Sequence, residues 1–343
     1  MPPALYGGTE RVVSYLTEAL VRQGHDVTLF GSGDSTTSAK LIAPCKRALR
    51  LDPDVQDSLA YHMIMIEEVY RRAGKFDIIH FHIDYLHFPV SRRTRMPNIT
   101  TLHGRLDLPE HGALYRQFPD MPLVSISNSQ RKPIPLASWR ATVYHGLPDD
   151  LYSFEERPGK YLAFIGRISP EKGLDRSIQA AIQAGMPIRI AAKVDKVDRA
   201  YFETAIKPML DHPLVDYIGE IGEREKQEFL GGAYALMFLI DWPEPFGLAM
   251  IEALACGTPV IAFRRGSVPE IIDEGRTGFI VDSVDDAVDA IGKVAQLNRG
   301  DCRKAVEQRF SSERMANDYV AEYDGLQHQE PLLSGMSSNA PTG

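Results

Sequence analysis

Long apolar runs are absent from these 343 residues. The run over residues 234–240 is well short of the roughly 20 residues needed to cross a bilayer. Cysteine is scarce. Cys45, Cys256 and Cys302 are odd in number and none stands in a CxxC spacing, which argues against a disulfide framework or a zinc knuckle. Basic charge is in deficit, with 38 Lys and Arg against 46 Asp and Glu and a net charge of −8. A nucleic-acid partner, which needs clustered cations against phosphate, is therefore not expected. No charged-then-apolar leader pattern opens the chain and no stretch repeats at a fixed period. A cytoplasmic enzyme is the expectation.

What is present is a rhythm. Hydrophobic residues make up 44% and charged residues 24%, the balance of a globular chain long enough for two domains. Short apolar runs alternate with amphipathic stretches, which predicts an α/β fold with parallel sheets. Helix-like periodicity covers residues 9–23 and 58–72, each followed by a glycine, Gly24 and Gly74. Strand-like runs fall at residues 27–30, 76–81, 99–102 and 122–126. Between residues 127 and 158 the rhythm loosens and Pro and Gly accumulate, so a domain boundary is expected near residues 146–158. A second series follows at residues 161–165, 187–191, 215–218, 234–240 and 260–263. The expected division is a domain over residues 1–150 and a second over residues 151–311. A helix over residues 312–327 and a disordered tail over residues 328–343 complete it.

Two segments carry chemistry. In Glu244-Pro-Phe-Gly-Leu-Ala-Met-Ile-Glu252, one carboxylate precedes a helix start and a second lies about a turn and a half inside it. The amides of Phe246, Gly247 and Leu248 between them can bind an anion. In Gly166-Arg-Ile-Ser-Pro-Glu-Lys-Gly173, Arg167 and Lys172 flank a tight turn, and Ser169, Pro170 and Glu171 read as an ordinary helix start. Fixed cations there would stabilise charge building on a departing diphosphate more than they stabilise the ground state. Glu252, leaning back toward the helix N-terminus, could reach a ribose diol held above it. Gly7 and Gly8 precede another helix, and their missing Cβ atoms let a phosphate or sugar approach the backbone. Together these features suit a nucleotide sugar.

GRISPEKG, EPFGLAMIE and the following ALACGTPVIA, with YGGTERVV, TLHG and ISNSQ upstream, resemble the retaining glycosyltransferases of family 4 (glycosyl transferases group 1). The resemblance runs from about residue 5 to about residue 326. It implies the GT-B fold, two Rossmann-like domains with parallel sheets facing a central cleft. Residues 1–150 would then be the acceptor side, residues 151–311 would bind the donor, and residues 312–327 would cross back to the first domain. It implies that Glu252 takes the ribose, that Glu244 lies near the transferred sugar, and that His103, at the end of a strand, contacts that sugar. The expected catalytic set is His103, Arg167, Lys172 and Glu244. The expected donor-binding set is Gly7, Gly8, Arg167, Lys172, Glu244, Phe246, Gly247, Leu248 and Glu252. The implied reaction moves a hexosyl group to an acceptor hydroxyl with retention of configuration and without metal or cofactor. The acceptor would be a sugar, a lipid-linked molecule or a small molecule. A non-catalytic nucleotide-sugar-binding protein and a GT-B epimerase are the rivals.

Other features receive plainer readings. His80, His82, Asp84 and His87 imitate a metal cluster but read as cleft-lining or structural histidines, and Asp52-Pro-Asp54 matches a metal-binding pattern by chance. Ser267-Val-Pro-Glu270 reads as a capping box, with a secondary contact to the nucleotide open to Glu270. Arg92, Arg93 and Arg95 read as a solvated face, although a weak peripheral membrane contact would suit lipid-linked acceptors. Residues 1–6, with two prolines, are too few to form the central strand that normally precedes such a Gly-Gly turn, so the first strand of the N-terminal domain is expected to be missing.

Overall fold

The computed structural model describes residue 2 and residues 7–327. Among these residues twelve strands form, all parallel to their neighbours. In the first half these are β1 (Thr28–Ser32), β2 (Lys40–Cys45), β3 (Ile79–Phe81), β4 (Asn98–Thr101), β5 (Leu123–Ser125) and β6 (Trp139–Thr142). Among the described residues they form two sheets, a β1-β2 pair and a four-stranded β3-β4-β5-β6 sheet. The expectation about a first strand concerns residues 1–6, most of which lie outside the described residues.

The second half holds β7 (Leu162–Arg167), β8 (Ile188–Lys193), β9 (Val215–Gly219), β10 (Ala235–Phe238), β11 (Val260–Phe263) and β12 (Gly278–Val281). Their order is β12-β11-β10-β7-β8-β9, the doubly wound arrangement in which strand order reverses between β7 and β10. All four residues of β10 and of β11 are buried, as expected for central parallel strands covered by helices on both faces. Leu162, Ile188, Ile190, Leu236 and Ile261 are fully buried. Each such side chain contributes roughly 1.5–3 kcal/mol of transfer free energy.

The larger core cluster joins the halves. It runs from Val12, Leu16 and Ile99 through Phe246, Met250 and Phe310 to Met315 and Tyr319. The Ser312–Gln327 helix packs on the Gly8–Arg22 helix, where Arg22 Nη2 donates to Glu313 Oε1 at 2.7 Å and Gln23 Nε2 to Asn317 Oδ1 at 2.9 Å. Farther along, Tyr319 and Thr101 hydroxyls meet at 2.8 Å and Tyr323 meets His80 Nδ1 at 2.7 Å. The two places where the chain passes between halves run side by side. Leu147 N–H donates to Phe310 O and Ser312 N–H to Leu147 O, both at 2.8 Å. A Cβ at Gly146 would lie 2.1 Å from Ser311 O, so only glycine permits this approach.

Candidate active site

The β7–β10 reversal opens a crevice at the carboxyl ends of those strands, where this kind of sheet binds ligands. Both chemistry-bearing segments end there, because Gly166 and Arg167 close β7 and Glu244 lies in the loop after β10. A cleft of about 500 Å³ lies above them. Gly7, Gly8, His103, Arg167, Lys172, Glu244, Phe246, Gly247, Leu248 and Glu252 all line it, so residues far apart in sequence meet in one place.

Glu244 is fixed from several sides. Its Oε2 accepts from Lys172 Nζ at 2.6 Å and from Trp242 Nε1 at 2.9 Å. Its backbone carbonyl accepts from Ser267 N–H at 3.0 Å. Gly266, at φ 53°, presses on the same peptide, since a Cβ there would lie 2.2 Å from Glu244 O and 2.4 Å from Glu244 N. Gly266→Ala is therefore expected to destabilise the protein by roughly 1–3 kcal/mol through strain and to displace Glu244. Thermal unfolding would register the first effect and turnover the second.

Arg167 sits among carboxylates. Its guanidinium donates to Glu171 Oε1 at 2.5 Å and lies 3.6 Å from Asp198 and 3.8 Å from Asp195. Partial burial would lower its pKa, but Glu171, Asp198 and Asp195 outweigh that and raise it. A bound anion would have to share or displace these acids. The Pro170–Lys172 segment differs from the expected helix start. It forms a single 3₁₀ turn without a Ser169 side-chain cap, and the α-helix begins only at Leu174 after left-handed Gly173.

Glu252 lies in the Leu248–Ala255 helix with little exposure, and Lys226 Nζ donates to its Oε1 at 2.8 Å. Lys226 also lies 3.6 Å from Glu223, which pairs with Arg11 of the first half and accepts from Tyr152. The Phe246 ring is in the core, so only its backbone can face a ligand. The first-turn amides of the Leu248–Ala255 helix lack intrahelical partners by the geometry of any α-helix. The Gly7-Gly8 turn reaches this helix start, with Leu248 Cδ1 3.4 Å from a Cβ built at Gly8.

His103 leads a column of rings. Its Nε2 is 2.9 Å from His82 Nδ1, and its ring stacks on His145 at 5.3 Å, which in turn lies 4.7 Å from Phe246. Burial pushes the His103 imidazole down to about 4, so it stands in the cleft as a neutral hydrogen-bonding ring. Among the described residues, Nδ1 of His103 and Nδ1 of His145 are buried without a hydrogen-bond partner. His80 is satisfied by Tyr323 and Thr101, and His87 by Ser91 and Thr100. Among the described residues no three His, Cys, Asp or Glu side chains are grouped to hold a metal.

The Ser267–Glu270 segment is not the expected capping box. Ser267 Oγ donates to Phe246 O, and Glu270 reaches the first half instead, accepting from Asn128 and Ser129 N–H and from Tyr144 Oη at 2.7–3.0 Å. Trp242, Lys226, His145 and Gly266 were not singled out as site residues from sequence. Trp242 lies two positions ahead of Glu244 in sequence and Gly266 one ahead of Ser267.

The family model for Glycosyltransferase Family 4 matches residues 6–163, and the model for Glycosyl transferases group 1 matches residues 153–309. The chain belongs to glycosyltransferase family 4. It is 25% identical to an uncharacterized glycosyltransferase of Methanocaldococcus jannaschii, over 94% of this chain and 95% of that one. The fold matches GT-B glycosyltransferase structures. AviGT4, a glycosyltransferase involved in avilamycin A biosynthesis, superposes with a TM-score of 0.73 at 21% identity, over 96% of this chain and 93% of that one. Anabaena Alr3699/HepE, crystallised with UDP-glucose, superposes with a TM-score of 0.69 at 17% identity, over 94% and 98%. No helix among the described residues is long and apolar enough to cross a membrane.

Proposed function

We propose that this glycosyltransferase moves a hexosyl group from a nucleoside-diphosphate sugar to an acceptor hydroxyl with retention of configuration and without a metal ion. The observation that carries the reading is the convergence of Arg167, Lys172, Glu244, Glu252 and the Leu248–Ala255 helix start on one cleft. Arg167, Lys172 and the first-turn amides would hold the diphosphate, and their fixed positive charge would stabilise it as it departs. Glu252 would take the ribose and Glu244 the transferred sugar. Neutral His103 would hydrogen-bond the sugar from the acceptor side, and Gly7-Gly8 would close over the phosphates. The departing phosphate oxygen would assist attack by the acceptor on the same face. A binding partner in the HepE complex, UDP-glucose, supports the donor class.

A thermal-shift panel of nucleotide sugars identifies the donor, because a ligand at 100 times its Kd stabilises the folded state by about 2.7 kcal/mol. With that donor, nucleoside diphosphate should be released only when an acceptor is present, which also separates transfer from simple binding and from epimerisation. Transfer should persist in excess EDTA, since the cations above already balance the diphosphate. Activity lost in chelator and restored by Mg²⁺ or Mn²⁺ would overturn the metal-independent reading.

A further inference from the structure

Trp242 stands where two demands on Glu244 meet. Lys172 and the Trp242 indole N–H both contact Oε2 of that carboxylate, at 2.6 and 2.9 Å, and among the described residues no hydrogen bond falls on Oε1. The indole ring lies 4.9 Å from Lys172 Nζ and 5.7 Å from Arg105 Cζ, both within cation–π range. Arg105 follows β4 in the first half and is itself held by Asp107 at 2.6 and 2.7 Å. The ring thus bridges the cleft.

Lys172 has a flexible stem and three rotatable donors, and the proposed reaction draws it toward the diphosphate. The indole has one donor on a rigid ring that cannot turn without leaving both cations. When Lys172 engages phosphate, the Trp242 N–H is the contact that stays on Glu244.

Building on the transfer reading, we propose that Trp242 is a positioning residue. It pins Oε2 of Glu244 so that Oε1 faces the donor sugar, and through Arg105 it ties that orientation to closure of the two halves. A hydrogen bond to a charged group corresponds to about a 10- to 100-fold effect when removed.

The test has two arms. The chain has two tryptophans, and Trp139 donates its indole N–H to Ile134 O, far from Glu244 in sequence and outside the residues lining the cleft. In a ¹⁵N–¹H spectrum with indole peaks assigned by Trp139→Phe, Glu244→Gln should move the Trp242 peak and leave that of Trp139 in place. In kinetics with the donor found by thermal shift, Trp242→Phe keeps an aromatic ring and loses the N–H. It should lower kcat about 10-fold or more while the donor KM changes less than about threefold. An unmoved Trp242 peak in Glu244→Gln would overturn the inference. So would a Trp242→Phe variant whose loss lies wholly in KM, because that pattern describes packing alone. The spectral arm needs no donor. A wild-type protein inert toward every nucleotide sugar would count against the transfer reading, whereas only the indole peak and the kcat split bear on Trp242.

Discussion

Lys172→Ala is expected to lower transfer by about two to three orders of magnitude, the usual loss when one fixed donor to a developing negative charge is removed. The ammonium lies at the β7–β10 reversal, where the proposed diphosphate would sit, and it is held ready by Glu244 at 2.6 Å. Stability will fall as well. The side chains of this pair are only 18% and 13% exposed, so removing Lys172 leaves a mostly buried carboxylate with the Trp242 N–H as its remaining hydrogen-bond donor. Breaking a buried pair from one side costs more than replacing both partners. A second variant separates the two effects. Lys172→Ala combined with Glu244→Gln removes the unpaired charge and should recover much of the melting temperature without recovering turnover. Near-wild-type turnover in Lys172→Ala would remove this lysine from the reaction. Recovery of turnover in the double variant would assign it to holding Glu244 alone.

The contrast between Lys172 and Lys226 shows what a sequence can disclose. Lys172 is legible because it stands in a compact segment whose turn, cation and following helix are local properties. Lys226 lies 26 residues from the Glu252 it holds, and only the packing of the Glu223–Gly231 helix against the Leu248–Ala255 helix brings them together. Gly266 is illegible for the same reason, since its constraint is the backbone of Glu244. Glu270 matches a capping pattern locally, yet its carboxylate is captured by amides 141 and 142 positions away. Among the strands, the continuous apolar runs of β10 and β11 are plain from composition because both faces are buried. The strands β2 and β12 were not anticipated. Lys40–Cys45 contains a proline and has no fully buried residue, and Gly278–Val281 is a short edge strand with mixed burial. Trp139–Thr142 was hidden inside the Pro- and Gly-rich stretch and is half-buried throughout. Edge strands present weak alternation because one side lacks a partner, so their pairing is decided by neighbours rather than by pattern.

Acidification should unfold this protein well before its carboxylates titrate, because it keeps a group of neutral histidines inside. Burial holds His80 and His87 down to about 3 and His103 to about 4. His82 and His145 are also driven well below the ordinary value of 6.5, first by burial and then by neighbouring histidines, with Arg314 adding to the effect on His145. The sign follows from proton counting. Between the ordinary value and these depressed values, the unfolded chain binds protons that the folded chain refuses. Stability is therefore full above about pH 6.5 and falls as pH drops toward 4. Each excess proton on the unfolded chain costs about 1.4 kcal/mol per pH unit, so one histidine costs about 2 kcal/mol between pH 6.5 and 5. These rings do not titrate independently, since His82 and His103 share one hydrogen bond and the His80 and His82 ring centres lie 4.0 Å apart. Even so, three of them acting together would remove about 6 kcal/mol, comparable to the whole stability of many domains. The melting temperature should therefore be nearly flat from pH 8 to 7 and drop steeply between pH 6.5 and 5. The His87 ring hydrogen-bonds Ser91 and Thr100 and packs against the rings of Phe81 and Phe88, and it is not among the residues that line the cleft. His87→Asn should shallow that drop by about one proton while turnover at neutral pH persists. A melting temperature that stays level down to pH 5 would show that the column opens to water and accepts protons in the folded state.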